Sequence, residues 1–196
     1  MKKILIAILV ASCAGGAFAG VTFDFLGTDA GSLGSALDNQ AGSISYTNSG
    51  IVATFTASDG TMNRTGSGDG DFGLNATGTD DTDAFDKGEW INITFDQTIT
   101  LTNVNVSSWS TSNGDEATIF VDGVSSGIIS STGDHAFNIT VTVGDILRIE
   151  GTDGALPSAE NGWSLDSMTV VPEPATMAMF GIGGVIAFLI RRSACK

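Results

Sequence analysis

Between Gly20 and Val171 the chain has no cysteine; its only two are Cys13 and Cys195, close to the termini. That excludes thiol chemistry and disulfide stapling over this region, so a domain built from it must hold together through its core, with or without bound metal. Basic residues are almost as scarce. Five of the eight (Lys2, Lys3, Arg191, Arg192, Lys196) flank the apolar ends, which leaves Arg64, Lys87 and Arg148 against 21 of the 22 acids and a net charge of −18 in between. Such a surface repels phosphate backbones and anionic headgroups, which argues against nucleic acid as a partner. The single histidine, His135, follows Gly133-Asp134 at the start of an alternating run. Neighbouring residues of a strand point to opposite faces, so His135 and Asp134 do not make a catalytic pair. Helical periodicity of useful length is missing from residues 21–170.

What fills that region is a series of short period-two runs separated by Gly, Asn, Asp and Ser. They cover Val21 to Phe25, Ile51 to Ala57, Trp90 to Phe95, Ala117 to Val121, Val124 to Ile129, Ala136 to Val143, Ile146 to Ile149 and Trp163 to Val170. Ile99-Leu101 and Val104-Val106 read as a further pair folded about Thr102-Asn103. This spacing, without helices between the runs, predicts an all-β, jelly-roll-like β-sandwich ectodomain. Asp122-Gly123 predicts a type I′ hairpin turn. Ile119 and Val121 share one face while Phe120 takes the other, the pattern of a strand partly buried on both sides. Residues 58–88, rich in Gly, Asp and Thr with Phe72-Gly73-Leu74 as an apolar island, are expected to form one long loop.

The ends read as addresses. Met1-Lys2-Lys3, the apolar run Ile4 to Val10 and Ala17-Phe18-Ala19 form a signal peptide over residues 1–19, cut by signal peptidase between Ala19 and Gly20, with Ala17 and Ala19 as the small residues it needs. A second reading of the same segment takes Val10-Ala11-Ser12-Cys13 as a lipobox with Cys13 lipidated. Ala175 to Ile190 is an uncharged stretch of 16 residues, about 24 Å as a helix and slightly short for a transmembrane span. Arg191, Arg192 and Lys196 follow it, which places the C-terminus in the cytoplasm and the acidic region outside. The domains expected are therefore 1–19, a sandwich over 20–170, and a C-terminal segment over 171–196 with its transmembrane helix near 175–190.

Val171-Pro172-Glu173-Pro174, the small and apolar helix after it, and the closing Arg191-Arg192 together resemble the PEP-CTERM sorting signal of bacteria. The resemblance covers about the last 26 residues. It implies recognition by an exosortase, a membrane-embedded cysteine protease, that cuts or exchanges the tail near the Pro-Glu-Pro and sends the protein to the envelope or exopolysaccharide. The prolines keep 171–174 extended, as a protease requires. The alternative is an ordinary anchor that is never processed. The stretch Asp83 to Asp96 also resembles a pattern met in sandwich domains with this tail, which implies the fold alone.

Candidate chemistry lies in the acidic stretch and the tryptophans. Asp69, Asp71, Asp80, Asp81, Asp83 and Asp86 offer the oxygen ligands that calcium takes, although the EF-hand pattern fails, with Gly73 at its fifth position and no glutamate at its twelfth. Solvated charge is the competing account. Trp109, flanked by Ser107, Ser108 and Ser110, is the tryptophan expected to be exposed for stacking on sugar rings, while Trp90 and Trp163 are expected in the core. Glu89, Glu116, Glu150 and Glu160 supply carboxylates for glycoside hydrolysis, with nothing in their spacing selecting a pair. The expected function is that of a non-enzymatic structural or adhesive envelope or matrix protein, in contact with the inner membrane at least while it is sorted. The alternatives are a displayed carbohydrate-binding module that takes exopolysaccharide and, behind it, a secreted glycoside hydrolase.

Overall fold

The computed structural model describes residues 19–27, 32–64, 72–75, 85, 87–107, 115–152 and 162–173. Eleven strands and one short helix are found among them: β1 (Val21–Asp24), α1 (Leu33–Leu37), β2 (Gln40–Asn48), β3 (Ile51–Arg64), β4 (Phe72–Asn75), β5 (Trp90–Phe95), β6 (Ile99–Ser107), β7 (Ala117–Val121), β8 (Val124–Ile129), β9 (Gly133–Val141), β10 (Leu147–Gly151) and β11 (Ser164–Pro172). All their pairings are antiparallel. One sheet has the order β1-β11-β6-β9, and the other β2-β3-β5-β10-β7-β8 with β4 added to β3. The chain is all-β and the sheets form a sandwich.

Alternation decides which face is buried. In β5, Ile91, Ile93 and Phe95 point inward while Trp90, Asn92 and Thr94 point out; β10 repeats this with Leu147 and Ile149 inward and Arg148 and Glu150 outward. The inward residues of both sheets meet in one apolar core. Phe23 of β1 packs edge-on against Phe55 and Phe95 of the other sheet, each with ring centroids 6.2 Å apart. The file continues through Phe25, which meets Phe55 at 5.7 Å and Phe72 at 5.0 Å, and then to Phe85, which stacks on Trp163 at 4.7 Å. Burying each such ring contributes roughly 1.5–3 kcal/mol, and each well-placed aromatic pair about 0.5–1.5 kcal/mol more.

The type I′ turn stands as expected, with positive φ at both Asp122 (49°) and Gly123 (78°). A second hairpin, Asn48 to Ile51, has the same signature at Ser49 and Gly50. Two expectations are corrected. Residues 99–107 do not fold back about Thr102-Asn103 but run as the single strand β6, whose ladder with β9 slips by one residue between Leu101 and Asn103. The slip restores Val104 and Val106 to the core after the polar Thr102-Asn103 pair, so two apolar runs of different parity share one strand. The stretch 58–88 is not one loop: β3 continues through Arg64, β4 pairs back on it, and Phe85 bridges Trp163 through Phe85 N–H to Trp163 O (2.7 Å). The apolar island supplies the reason, since Phe72, Leu74 and Phe85 are all buried. Finally, β2 and α1 were not foreseen, because β2 is an edge strand with exposed small polar residues at most positions and α1 has only 5 residues.

Ser164, fully buried in β11, ties the added strand to the other sheet. Its Oγ accepts from Phe72 N–H (2.6 Å) and donates to Phe72 O (3.2 Å). Ser164→Ala is expected to lower stability by about 1–3 kcal/mol in denaturant unfolding, since it strands buried polar groups. Ser45→Ala, which removes an exposed hydroxyl contact to Thr54, is expected to change it by less than about 0.5 kcal/mol.

Candidate functional site

Four short turns, Ser49-Gly50, 96–98, Asp122-Gly123 and 142–146, gather at one end of the sandwich, while the short turn 130–132 joins β8 to β9 at the other. The turns are tied to one another. Asp96 N–H donates to Val52 O and its carboxylate accepts from Val52 N–H (2.9 Å); Gln97 Nε2 donates to Gly50 O; Ile146 N–H donates to the Asp122 carboxylate (2.9 Å). Asp145 closes the 142–146 turn by accepting from Thr142 Oγ (2.7 Å) and Thr142 N–H (2.8 Å). These bonds, the hydroxyl's first, favour the charged form and hold the Asp145 carboxyl below its ordinary value. The chain enters the sandwich at this end, at Gly20, and leaves it there at Glu173, both exposed. The segments 65–71, 76–84, 108–114 and 153–161 depart from strand ends at the opposite end.

The exit is built into the sheet. Val170 is buried and pairs with both Val21 and Leu101; Val171 lies opposite Thr100 and Pro172 opposite Ile99; Glu173 N–H donates to Thr98 O (3.0 Å). Positions 171 and 173 are thus hydrogen-bonding positions of this ladder, and Pro172 is not. The donor that Pro172 lacks would face the β1 side, where β1 begins only at Val21, so no ladder bond is lost. Residues 170–193 match the family model of the PEP-CTERM protein-sorting motif. The chain carries a PEP-CTERM sorting motif. The first four residues of the PEP-CTERM match therefore lie within the described sandwich, and the expected division at 170/171 falls inside β11. The comparison with curated proteins and that with solved structures give no match.

Of the other expected site residues, Ala19 and Gly20 are exposed just ahead of β1. Ala17, Pro174, Arg191, Arg192, the aspartates 69, 71, 80, 81, 83 and 86, and Trp109 lie outside the described residues, as does the expected helix at 175–190. Among the described residues no helix is long and apolar enough to cross a membrane, and no group of three His, Cys, Asp or Glu can hold a metal ion. His135 Nε2 lies 2.8 Å from Ser131 O, and Asp134, on the opposite face, accepts from Asn105.

A second surface emerges on the outer face of the larger sheet. Trp163 is in the core, as expected, but Trp90 is not: it stands half-buried on the outward face of β5, with the Arg148 guanidinium carbon 4.4 Å from its ring centroid. Arg148 also donates from Nε to Asn92 Oδ1 (3.1 Å) and pairs with Glu150 at 3.4 Å. Phe120 lies beside Arg148 on the same face, in register across β7. The signal was present in the sequence, because Trp90 shares parity with Asn92 and Thr94 rather than with Ile91 and Ile93.

Asp145, with its lowered folded-state value, stabilises the fold fully above the unfolded carboxylate range and stops doing so as pH falls through the folded value. The thermal midpoint of Asp145→Ala is therefore expected to lie below that of wild type by a constant gap above about pH 5, and the gap is expected to close below 3.8. A gap that persists in acid assigns the effect to packing.

Proposed function

We propose that this protein is exported through its N-terminal signal peptide and held in the inner membrane by its C-terminal helix. An exosortase-type protease then delivers it to the envelope or extracellular matrix, where the acidic sandwich is a non-enzymatic structural or adhesive component. The observation that carries this reading is the PEP-CTERM match at 170–193, which implies a sorted surface protein and a membrane protease as its processing partner. The two antiparallel sheets, β1-β11-β6-β9 and β2-β3-β5-β10-β7-β8 with β4 added to β3, meet through their inner faces, as where Phe23 of β1 packs on Phe55 of β3, and this supports reading the sandwich as jelly-roll-like. Both the entry at Gly20 and the exit at Glu173 lie at the end that holds the turns 49–50, 96–98, 122–123 and 142–146. The mature protein from cells with an active exosortase is expected to lack the C-terminal helix by mass, and that from cells without it to retain the helix. Retention in both makes the segment a plain anchor.

The outer face of β5, β10 and β7 favours a second reading, display of a carbohydrate-binding surface. Trp90, Phe120, Asn92, Arg148 and Glu150 combine apolar ring area with polar groups on one sheet face, the mixture that takes a sugar ring and its hydroxyls. The excess of acid on the domain disfavours acidic polysaccharides and points to neutral ones. Trp90→Ala is expected to weaken retention of residues 20–173 on a neutral exopolysaccharide about tenfold or more, equivalent to about 1.4 kcal/mol. Equal retention of Trp90→Ala and wild type removes this face from the reading.

A further inference from the structure

We infer that copies of this chain join edge to edge through the larger sheet, β8 of one copy pairing with β2 of the next. The border strands of a sheet offer unpaired backbone N–H and C=O groups to any other strand. In the smaller sheet those borders are guarded by charge: β1 has only four residues and ends in Asp24, and β9 carries Asp134, both acids exposed. The borders of the larger sheet are β2 and β8. Neither Gln40–Asn48 nor Val124–Ile129 contains a charged residue, although the region between Gly20 and Val171 has a net charge of −18. Both strands are open to solvent. Ser43, Ser45 and Thr47 of β2 and Ser125 of β8 are exposed, and β8 adds Val124 and Ile128, 68% and 58% exposed, whose aliphatic side chains a neighbouring strand would cover. The turns decide which backbone groups face outward. Each two-residue turn is flanked by a hydrogen-bonded pair, Asn48 with Ile51 and Val121 with Val124. Ser43, Ser45 and Thr47 therefore turn their N–H and C=O away from β3, and Ser125 turns its own away from β7. Direction fits as well. Five successive antiparallel pairings separate β2 from β8, so the two run in opposite senses within one sheet. A second copy set beside the first in the same orientation places its β2 antiparallel to β8, the pairing used throughout the sandwich. The occupant is a copy of this chain because a strand laid along so acidic a domain is favoured when it is itself uncharged, and an uncharged edge of the required direction is present on the same molecule. The contact uses a different surface on each copy and leaves a free edge at either end, so it repeats into an open chain. It gives the structural role proposed above a physical basis and does not depend on whether the tail is processed.

Gly20–Glu173 is one compact unit with its own core, and it is the sample for analytical ultracentrifugation and light scattering. The mean mass of wild type is expected to reach at least about twice that of the monomer by about 0.1 mM and to keep rising with concentration. Because the copies repel one another, added salt is expected to strengthen the association. Weakening by salt assigns it to charged surfaces and overturns the proposal, as does a wild type that stays monomeric. Ser45→Pro and Ser125→Pro each remove one outward N–H and leave the ladder to the neighbouring strand intact. Each variant alone is expected to be monomeric, and their equimolar mixture is expected to form dimers and stop there, since one supplies β8 and the other β2. A single variant that still associates assigns the contact to one edge paired with its own kind and overturns the proposal; a mixture that stays monomeric overturns it too. Ser45→Lys and Ser125→Lys, which keep the backbone donor and add a charge to the edge, provide the same readout where a proline variant loses its cooperative thermal transition.

Discussion

Phe23 touches Phe55 and Phe95 across the gap between the sheets, and this contact stands for the constraint on which the molecule depends. With no cysteine between Gly20 and Val171 and a large excess of acid on the surface, the two sheets are held by buried apolar area against mutual charge repulsion. The aromatic file from Phe95 to Trp163 runs the length of that gap, so the core is continuous from the short-turn end to the end where the long connections begin. Ser164 then fixes β4 to β11 at the far end through a polar contact that only a dry environment makes strong.

The smaller sheet adds a condition of order. β11 is the last strand among the described residues, yet it lies between β1 and β6, with Val21 opposite Val170 across nearly the whole domain. Neither neighbour can complete its ladder until residues 164–172 arrive, and such distant pairing is slow because loop closure must precede the contacts that reward it. Folding of the sandwich and availability of the sorting motif are thus linked by sequence position. The same residues finish the core and begin the tail.

The outer face shows how much of a surface can be read from parity. Ile91, Ile93, Leu147 and Ile149 announce the buried side of β5 and β10, and the same alternation puts Trp90, Asn92, Arg148 and Glu150 on the other. The expectation of Trp90 in the core, taken from its place at the head of an alternating run, overrode that signal. The sandwich class and the turn at Asp122-Gly123 were legible for a similar reason, being set by local spacing and local backbone preference. β2 was not legible, because an edge strand with one half-wet face carries no strong alternation, and neither was the unity of β6, because its pairing slips where the apolar parity changes.

The amino-acid order by itself determined the all-β class, the acidic character and lack of cysteine of residues 20–171 and the presence of the sorting motif, since each depends on residue type and near neighbours. Only the tertiary structure decided that this motif starts within a central strand, that Trp90 lies under Arg148 on an outer face, and that four of the short turns share the end through which the chain leaves. Those facts depend on which strand pairs with which, and in what register. Residues as far apart as Val21 and Val170 fix that pairing together, and no local stretch of sequence records it.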